Sequence, residues 1–483
     1  MTDETAAPTS ANPAADPRFY AQNGHILLGG SDAGIEYIDL KLANRHGLVT
    51  GATGTGKTVT LQVMAEGFSA AGVPVFAADI KGDLSGIGAI GEPKDHLVKR
   101  AEEIGLPGYA NAAFPVAFWD IFGDQGHPIR TSAVQMGPLL LSRLLDLSEP
   151  QEGVLNIAFR WAEDRRKGVY QSADPDMVIR KLRDLREVIG EIGKRAGELR
   201  SKYGNIAPQT IGVLQRRLLV MEEQGADKFF GERSLDINDF IRTAPDGRGV
   251  INILAAEKLM SNPRLYSTCL LWLLSELFEK LPEVGDLEKP KLVFLFDEAH
   301  LLFNDAPKAV LDQIERVTRL IRSKGVGVYY VTQSPGDVPD RISAQLGNRI
   351  QHALRAFTPK EQQAIKAAAT TFVKNPEINT EQAIQQLRVG EALVSTLRGK
   401  GEPSMVQRTL IRPPMARVGP LKPDERAALI KADTTNAAKY AAEVVTDGAF
   451  ERVQKLNSIA GRISDKIDMA KGALWSGIGR KDR

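Results

Sequence analysis

The sequence predicts an α/β fold built on a mainly parallel β-sheet. Short apolar runs typical of buried strands recur along the chain, and stretches with helical spacing separate several of them. Gly47–Thr50, Thr58–Ala71 and Val73–Ala78 are predicted in turn as a strand, a helix and a strand, with a glycine-rich loop before the helix. Because a crossover of this kind joins parallel strands, the sheet should be parallel in this region.

The other elements follow from the same spacing rules. Two short strands around the turn Gly29–Gly34 are predicted to precede the first core strand. The predicted strands are His25–Leu28, Ile35–Ile38, Gly47–Thr50, Val73–Ala78, Ala113–Trp119, Gly249–Leu254, Leu292–Phe296, Val326–Val331, Ile350–Leu354, Ala392–Leu397 and Ser404–Leu410, the last two as a pair. The helices predicted outside the segment 130–240 are Thr58–Ala71, an amphipathic Pro263–Leu281, Ala306–Ser323, Glu361–Ala369, Thr380–Leu387, Pro423–Val445 and Glu451–Lys466.

A change of character along the chain predicts several domains. The chain has 483 residues, whereas single cores usually divide beyond ~250–300 residues. From about 130 to 240 the pattern is helical and highly charged, with a capping-box signal at Ser148 and Gln151. One predicted helix face there consists of Leu182, Leu185, Val188, Ile189 and Ile192. Pro413 and Pro414 are predicted to close the core. We expect a disordered tail at 1–17, the first part of the α/β core at 18–130, a helical insertion at 131–245, the second part of the core at 246–415 and a helical C-terminal segment at 416–483.

The composition is that of an ordinary soluble globular protein. Hydrophobic residues make up 43% of the chain, and the formal net charge is only +2, so global charge gives no case for nucleic-acid binding, although a local basic patch stays open. Cys269 is the only cysteine and lies in an apolar stretch, which excludes an intrachain disulfide and favours a reducing compartment. The start of the chain lacks signal-peptide features, and no apolar run approaches the ~20 residues that span a bilayer. We expect a cytoplasmic protein with no membrane segment.

The glycine-rich loop Gly51–Thr58 fits the phosphate-binding pattern G-x-x-x-x-G-K-[ST] at every fixed position. Its residues, predicted to bind the nucleotide, are Gly51, Ala52, Thr53, Gly54, Thr55, Gly56, Lys57 and Thr58. Glycines let backbone N–H groups curl around phosphate oxygens, and the following helix directs its positive end at the same anion. Lys57 would reach the β- and γ-phosphates, and the Thr58 hydroxyl is a natural Mg²⁺ ligand. The alternative is a chance glycine-rich turn, which its position between a strand and a helix disfavours.

Two acids follow the apolar strand Leu292–Phe296. A buried parallel strand delivers the residues after its carboxyl end to the edge of the sheet where ligands bind. There Asp297 would hold Mg²⁺ through water, and Glu298 would activate the attacking water. The alternative is that both acids cap the following helix or loop. Together with the phosphate loop, the pair predicts hydrolysis of a nucleoside triphosphate.

A polar amide follows the next predicted strand, Val326–Val331. Gln333 would sense the γ-phosphate and help to place the water. The alternative is an ordinary capped loop.

Several motifs together resemble the HerA/FtsK superfamily of ring-shaped motor ATPases, and most closely the YjgR-type HerA-like proteins of bacteria. The matching blocks are His46–Thr58, Phe296–His300, Arg322–Val328 and Thr332–Pro335 for the superfamily, and Asp79–Gly86 and Gln345–Ala356 for the closer group. The resemblance covers about residues 18–415. It implies a RecA-like core, Mg-ATP hydrolysis and a hexameric ring. A preference for ATP over GTP also comes from the resemblance, since a phosphate loop does not recognise the base.

In such rings an arginine of one subunit reaches the nucleotide of the next, and Arg349 lies in a similar position to that arginine. Arg319 and Arg322 are rivals, and a surface arginine is the alternative for each. Asp79, Lys81 and Asp83 follow the second strand of this region at the ligand edge, where they would contact the nucleotide region or a translocated substrate, or else form a plain charged turn.

Three functions stay open at this point. The first is an ATP-driven DNA translocase or remodelling motor, and the second is an ATPase switch or assembly factor acting on a protein partner. The third is a nucleotide-binding module without turnover, against which Glu298 argues. The sequence departs from nucleic-acid motors because it shows no basic winged-helix tail and only 6% aromatic residues, few for stacking on bases.

Overall fold

A computed structural model describes residues 20–106, 109–169, 173–231, 234–304, 306, 308–440 and 453–454. These residues form two compact units. The first contains residues 20–128 and 236–440, and the second contains residues 129–235. The first unit therefore resumes at Asp236, whereas the expected helical insertion extends to residue 245.

The first unit is built on a twelve-stranded sheet in the order β2-β1-β14-β11-β10-β3-β9-β8-β4-β7-β5-β6. The strands of the described residues are β1 His25–Ser31, β2 Gly34–Asp39, β3 Gly47–Thr50, β4 Val75–Asp79, β5 Val116–Asp120, β6 His127–Pro128, β7 Ile251–Ala255, β8 Leu292–Phe296, β9 Val326–Thr332, β10 Asn348–Gln351, β11 Glu391–Ser395, β12 Leu397–Arg398, β13 Glu402–Pro403 and β14 Gln407–Ile411. Neighbours from β10 to β6 pair in parallel, and those from β2 to β10 pair antiparallel. The predicted α/β fold with a mainly parallel sheet is confirmed.

Helices cover the sheet of the first unit and make up most of the second. They are α1 Lys57–Ala70, α2 Asp95–Ile104, α3 Ala133–Leu144, α4 Glu149–Lys167, α5 Leu182–Lys194, α6 Ala196–Tyr203, α7 Pro208–Glu223, α8 Pro263–Lys280, α9 His300–Phe303, α10 Lys308–Ile321, α11 Asp340–Ser343, α12 Pro359–Thr370, α13 Thr380–Gln386, α14 Pro423–Ala432 and α15 Thr434–Tyr440. No helix in the described parts of the chain is both long and apolar enough to cross a membrane.

Helix α8 is not amphipathic, so that prediction was wrong. Tyr266, Cys269 and Trp272 are all buried, and Leu265 and Leu273 are fully buried as well. A helix with apolar residues on all of its faces is buried on all of them. The few polar residues of α8 therefore do not form a face that is exposed to solvent. Burial also raises the pKa of the Cys269 thiol, which makes this cysteine a small inert core residue.

Strands from the beginning and the end of the first unit form the antiparallel part of the sheet. The predicted pair of C-terminal strands is confirmed as β11 and β14, with Glu391 opposite Leu410. The hairpin β1–β2 joins the same sheet through Gly29, which lies opposite Ile411. A Cβ on Gly29 would lie 2.1 Å from the carbonyl oxygen of Leu410, so only glycine allows this approach. The turn predicted at Gly29–Gly34 is therefore shorter, since its ends belong to the strands.

The core does not close at Pro413 and Pro414, contrary to prediction. The buried carboxylate of Glu66 on α1 accepts the backbone N–H groups of Met415 and Ala416 at 3.0–3.1 Å. It also pairs with buried Arg412 at 3.0 Å. A buried charge requires such partners, so the chain stays on α1 past the prolines.

The segment after the core is less peripheral than expected. The predicted helix Pro423–Val445 is divided at Asp433 into α14 and α15, and residues beyond 440 lie, apart from 453–454, outside the description. Tyr440 is buried, and its ring lies edge-on to Trp119 with centroids 5.5 Å apart. The predicted helix Glu451–Lys466 falls, apart from 453–454, outside the described residues.

The second unit is helical, with α3 to α7 as its helices. All five apolar residues assigned to one helix face are buried on α5, which confirms that pattern. At the start of α4, the N–H of Ser148 donates to Oε1 of Gln151 at 3.1 Å, as the capping-box signal predicts.

Candidate nucleotide-binding and hydrolysis site

The carboxyl ends of four neighbouring parallel strands bring the glycine-rich loop, the acidic pair and Gln333 to one edge of the sheet. Thr50 at the end of β3 lies opposite Thr332 of β9, and Ala78 of β4 lies opposite Phe296 of β8. The glycine-rich loop, Gln333, Asp297 and Asp79 therefore lie where strands end at the same edge, at which α/β proteins bind ligands.

The glycine-rich loop depends on backbone conformations that favour glycine. Gly51, Gly54 and Gly56 have φ values of 155°, 78° and 112°. A Cβ on Gly51 would lie 2.4 Å from Cβ of His352, whereas a Cβ on Gly54 would meet nothing within 4 Å. The loop is therefore tightly packed at its base and open at its tip, which leaves room beside the tip for a ligand.

The open side of the loop presents unused donors. In the described part of the chain, the N–H groups of Gly54, Gly56 and Lys57 donate to no protein acceptor. Lys57 lies at the first position of α1, and its Nζ donates to the carbonyl oxygens of Gly51 at 2.6 Å and Ala52 at 3.1 Å. These amides, the ammonium group and the helix end together fit a bound polyphosphate.

A buried histidine supports the loop from the β10 side. His352 lies between Thr60 of α1, whose Oγ1 is 2.9 Å from Nε2, and the carbonyl oxygen of Glu391, which is 3.0 Å from Nδ1. Burial lowers the pKa of His352 to about 4, so the ring is neutral at pH 7. Two backbone bonds complete this support, from Ala52 to Ala353 at 2.8 Å and from Gly390 to Thr55 at 3.2 Å. The sequence reasoning assigned no role to His352, although it lies within the predicted strand Ile350–Leu354 and within the block Gln345–Ala356.

The acidic pair after β8 is largely buried. Burial, followed by the charge of Glu298, raises the pKa of Asp297 to about 6. Oδ1 of Asp297 accepts the N–H of Glu298 at 2.9 Å, and the Asp297 carbonyl oxygen accepts the Tyr266 hydroxyl at 2.9 Å. Glu298 has a φ of 47°, an unusual conformation for a residue with a side chain, and such strain often marks functional sites.

The acids and the loop lysine share one electrostatic environment. Burial lowers the pKa of Lys57, and the charges of Glu298 and then Asp297 oppose that change. Oε1 of Glu298 lies 3.4 Å from Nζ of Lys81, and Oε2 lies 3.4 Å from Nδ1 of His300. Oε2 is buried and forms no hydrogen bond among the described residues, which leaves it able to accept a proton from a water molecule.

The residues after β4 form a braced turn at the same edge. Oδ2 of Asp79 accepts the N–H of Leu84 at 3.0 Å, and burial raises the pKa of Asp79 to about 7. Lys81 extends from this turn to Glu298, as described above, and Asp83 is partly exposed. The turn thus contributes Lys81 to the site and keeps Asp79 as a buried support.

Two adjacent residues at the end of β9, Thr332 and Gln333, differ in burial and in hydrogen bonding. Thr332 is buried, and its hydroxyl donates to Oδ2 of Asp337 at 2.6 Å. Gln333 is exposed, and its side chain forms no hydrogen bond within the described ranges. Since β9 lies between β3 and β8, Gln333 follows the strand that separates the phosphate loop from the acids.

The candidate arginines contact residues outside the phosphate loop of their own chain. Arg349 lies inside β10, opposite Leu48, whereas the sequence predicts this strand only from Ile350. Its Nη2 donates to the Ser343 carbonyl oxygen at 2.9 Å, and burial lowers its pKa. Arg319 lies 4.0 Å from Glu315, and Arg322 lies 3.4 Å from Asp286, both as partly exposed ion pairs.

The residues at this edge fit a magnesium ion only together with phosphate oxygens. Among the described residues, no group of three or more His, Cys, Asp or Glu side chains is arranged to hold a metal. Thr58 is partly exposed beside Lys57, and Oδ2 of Asp297 accepts no hydrogen bond from the described residues. Mg²⁺ typically binds one or two such protein oxygens, waters and substrate phosphates, so this sparse set fits that ion.

A mainly parallel sheet, with a phosphate loop after one central strand and an acidic pair after another, defines the RecA-like P-loop fold. The sequence profile of the family described as Helicase HerA-like C-terminal matches residues 27–473, and the chain belongs to this family.

A comparison with one solved structure agrees on the fold. The structure of VirB4 from Thermoanaerobacter pseudethanolicus superposes with a TM-score of 0.50 at 14% sequence identity, and the match covers 81% of this chain and 97% of that one. The unbound bacterial conjugative coupling protein TrwB gives a TM-score of 0.49 at 14% identity, covering 84% and 93% of the two chains. A search of curated proteins gave no significant match.

Proposed function

We propose that this protein is a Mg²⁺-dependent ATP hydrolase of the HerA-like ring-motor type, which couples hydrolysis to the translocation or remodelling of DNA. The proposal rests on one observation above all. The phosphate loop after β3 and the acidic pair after β8 lie at the same edge of the sheet, on either side of β9. Anion-binding donors on one side and a buried carboxylate on the other are what hydrolysis of a phosphoanhydride needs.

Each residue has a role in this proposal. The amides of the loop and Lys57 bind the β- and γ-phosphates, and Thr58 and Asp297 hold Mg²⁺, which would neutralise charge on those phosphates. Glu298 accepts a proton from the attacking water through Oε2, its buried oxygen without a hydrogen bond. Gln333 orients the same water from the end of β9.

We include a ring-shaped oligomer and DNA as the substrate in the proposal because the chain belongs to the HerA-like family. In a homo-hexamer, Arg349 of one subunit would reach the nucleotide of the next, after leaving its bond to Ser343. The family fits a cytoplasmic location, as does a single buried cysteine.

The test is an ATPase assay with no DNA, single-stranded DNA and double-stranded DNA, in parallel with a measurement of oligomeric mass. We expect an oligomer whose ATPase rate rises with DNA, and DNA binding that weakens as salt rises. A rate indifferent to both DNAs would contradict the motor and favour an ATPase switch for a protein partner. The same assay with GTP tests the base preference.

A further inference from the structure

Lys81 contacts the proposed catalytic carboxylate from a neighbouring strand. The strands β4 and β8 are paired in parallel, and Lys81 follows β4 as Glu298 follows β8. The two charged groups lie 3.4 Å apart, and the side chains of Lys81 and Glu298 are 48% and 8% exposed. A half-exposed lysine thus reaches from solvent to a buried carboxylate.

The turn that carries Lys81 is held in place on both sides. Besides the bond from Leu84 to the Asp79 carboxylate, the Ser85 hydroxyl donates to the Gly82 carbonyl oxygen at 2.8 Å. Gly82 has a φ of 77°, and a Cβ there would lie 2.1 Å from Oε1 of Glu257. The left-handed backbone at Gly82 favours glycine, and the two hydrogen bonds brace the turn that positions Lys81.

Two side chains flank the carboxylate of Glu298. Oε1 lies 3.4 Å from Nζ of Lys81, whereas Oε2 lies 3.4 Å from Nδ1 of His300 and forms no hydrogen bond among the described residues. We propose that Lys81 is a positioning residue that holds Glu298 through Oε1, so that Oε2 is directed at the attacking water. This inference rests on the proposed hydrolytic function, since it concerns the residue assigned to activate the water.

The inference separates turnover from nucleotide binding. A Lys81→Met variant keeps the length of the side chain but loses the charge that orients Glu298. We expect kcat to fall by about 10- to 100-fold, because small displacements of a reacting group cost that much, with the Kd for nucleotide nearly unchanged. Lys81→Arg should restore most of the rate, which a merely structural role of the lysine would not predict.

Lys258→Met is the matched control. Lys258 follows the next strand, β7, and its Nζ pairs with Asp124 at the surface, away from Glu298. Its removal should leave kcat unchanged. Equal losses in both variants, or a Lys81→Met enzyme with normal kcat, would overturn the inference.

A double-mutant cycle tests whether Lys81 acts through Glu298 or binds phosphate itself. Binding of a fluorescent ATP analogue and single-turnover hydrolysis are measured for Glu298→Gln with and without Lys81→Met. If Lys81 acts through Glu298, the second substitution changes neither quantity in the Glu298→Gln background. A further loss of affinity there would place Lys81 on the phosphate and overturn the inference. Failure of the wild type to hydrolyse ATP would instead refute the proposed function itself.

Discussion

The two sides of the candidate phosphate site are stabilised in opposite ways. On the β10 side, the loop is held by paired groups, with the neutral ring of His352 bonded to Thr60 and Glu391. On the β8 side, Glu298 is buried and has a strained backbone, and Asp297 is largely buried and has a raised pKa.

This difference separates binding from chemistry. The paired side is complete in the protein alone, so it can hold the loop ready for an anion at little cost on binding. The acidic side carries negative charge that the protein compensates only in part. A metal ion and its phosphates would supply that compensation, which makes this side responsive to the bound substrate.

The largest expected effects separate the two sides directly. Lys57→Ala removes the cation of the loop, and we expect nucleotide affinity to fall by about 100-fold or more. Glu298→Gln keeps the shape of the carboxylate but not its basicity, so kcat should fall by at least ~100-fold with affinity nearly retained. Equilibrium binding and steady-state turnover of both variants provide the check. Near-normal turnover of Glu298→Gln would remove Glu298 from the catalytic role.

The next effect tests the paired side by comparing two buried histidines, one before β3 and one after β10. His352→Ala should reduce the free energy of unfolding by about 2–4 kcal/mol and weaken nucleotide binding, because it removes two hydrogen bonds and leaves a cavity beside Gly51. His46 is equally buried, but its Nδ1 accepts the N–H of Val328 at 3.0 Å, at the opposite end of β3.

The His46→Ala variant is therefore the control for His352→Ala. It should lose a similar free energy of unfolding and keep its nucleotide affinity. Denaturant unfolding and titration with a nucleotide measure the two quantities. Equal losses of affinity in the two variants would show that His352 acts only through overall stability.

The parts of the candidate site that lie in short continuous motifs are visible in the sequence alone. Gly51–Thr58 and the acidic pair are each read from a few adjacent residues, and the structure brings their side chains to one edge. The fold class followed from apolar strand patterns for the same reason.

The supporting residues were not predictable in this way, because their contacts join distant parts of the chain. His352 and Thr60 are 292 positions apart, and their contact depends on β10 lying beside β3. Lys81 was only a charged residue after a strand until the parallel pairing of β4 with β8 placed it near Glu298. The course of the chain past Pro414 likewise depends on Glu66, a single buried acid on α1. Local propensity contains no information on such partners.

A smaller effect tests the acidic side through pH. Burial raises the pKa of Asp79 from its ordinary value of 3.8 to about 7. Between these values the folded protein keeps a proton that the unfolded chain has lost, so stability falls as the pH rises from about 4 to 7. The amide that replaces this carboxyl group in Asp79→Asn cannot ionise. The free energy of unfolding of Asp79→Asn minus that of wild type should therefore be about 1–3 kcal/mol larger at pH 8 than at pH 5.

Urea unfolding at the two pH values measures this change, with Asp83→Asn as the control in the same turn. Asp83 is partly exposed, and its substitution should change stability by less than ~0.5 kcal/mol at either pH. A difference between Asp79→Asn and wild type that does not vary with pH would contradict the assigned cause.

The smallest effects concern two adjacent residues at the end of β9, between the two sides. Thr332→Val removes a hydroxyl that donates to Asp337, and we expect a loss of about 1 kcal/mol in the free energy of unfolding with nearly normal turnover. Gln333→Ala removes an exposed side chain that forms no hydrogen bond in the described structure, so stability should stay within ~0.5 kcal/mol of wild type. If Gln333 orients the water beside Glu298, kcat should nevertheless fall by roughly 10-fold with unchanged affinity. Thr332→Val should therefore lower the free energy of unfolding more than Gln333→Ala does, whereas Gln333→Ala should lower kcat more than Thr332→Val does. A Gln333→Ala enzyme with normal kcat would show that Gln333 does not orient the water, and Glu298 alone would then place it.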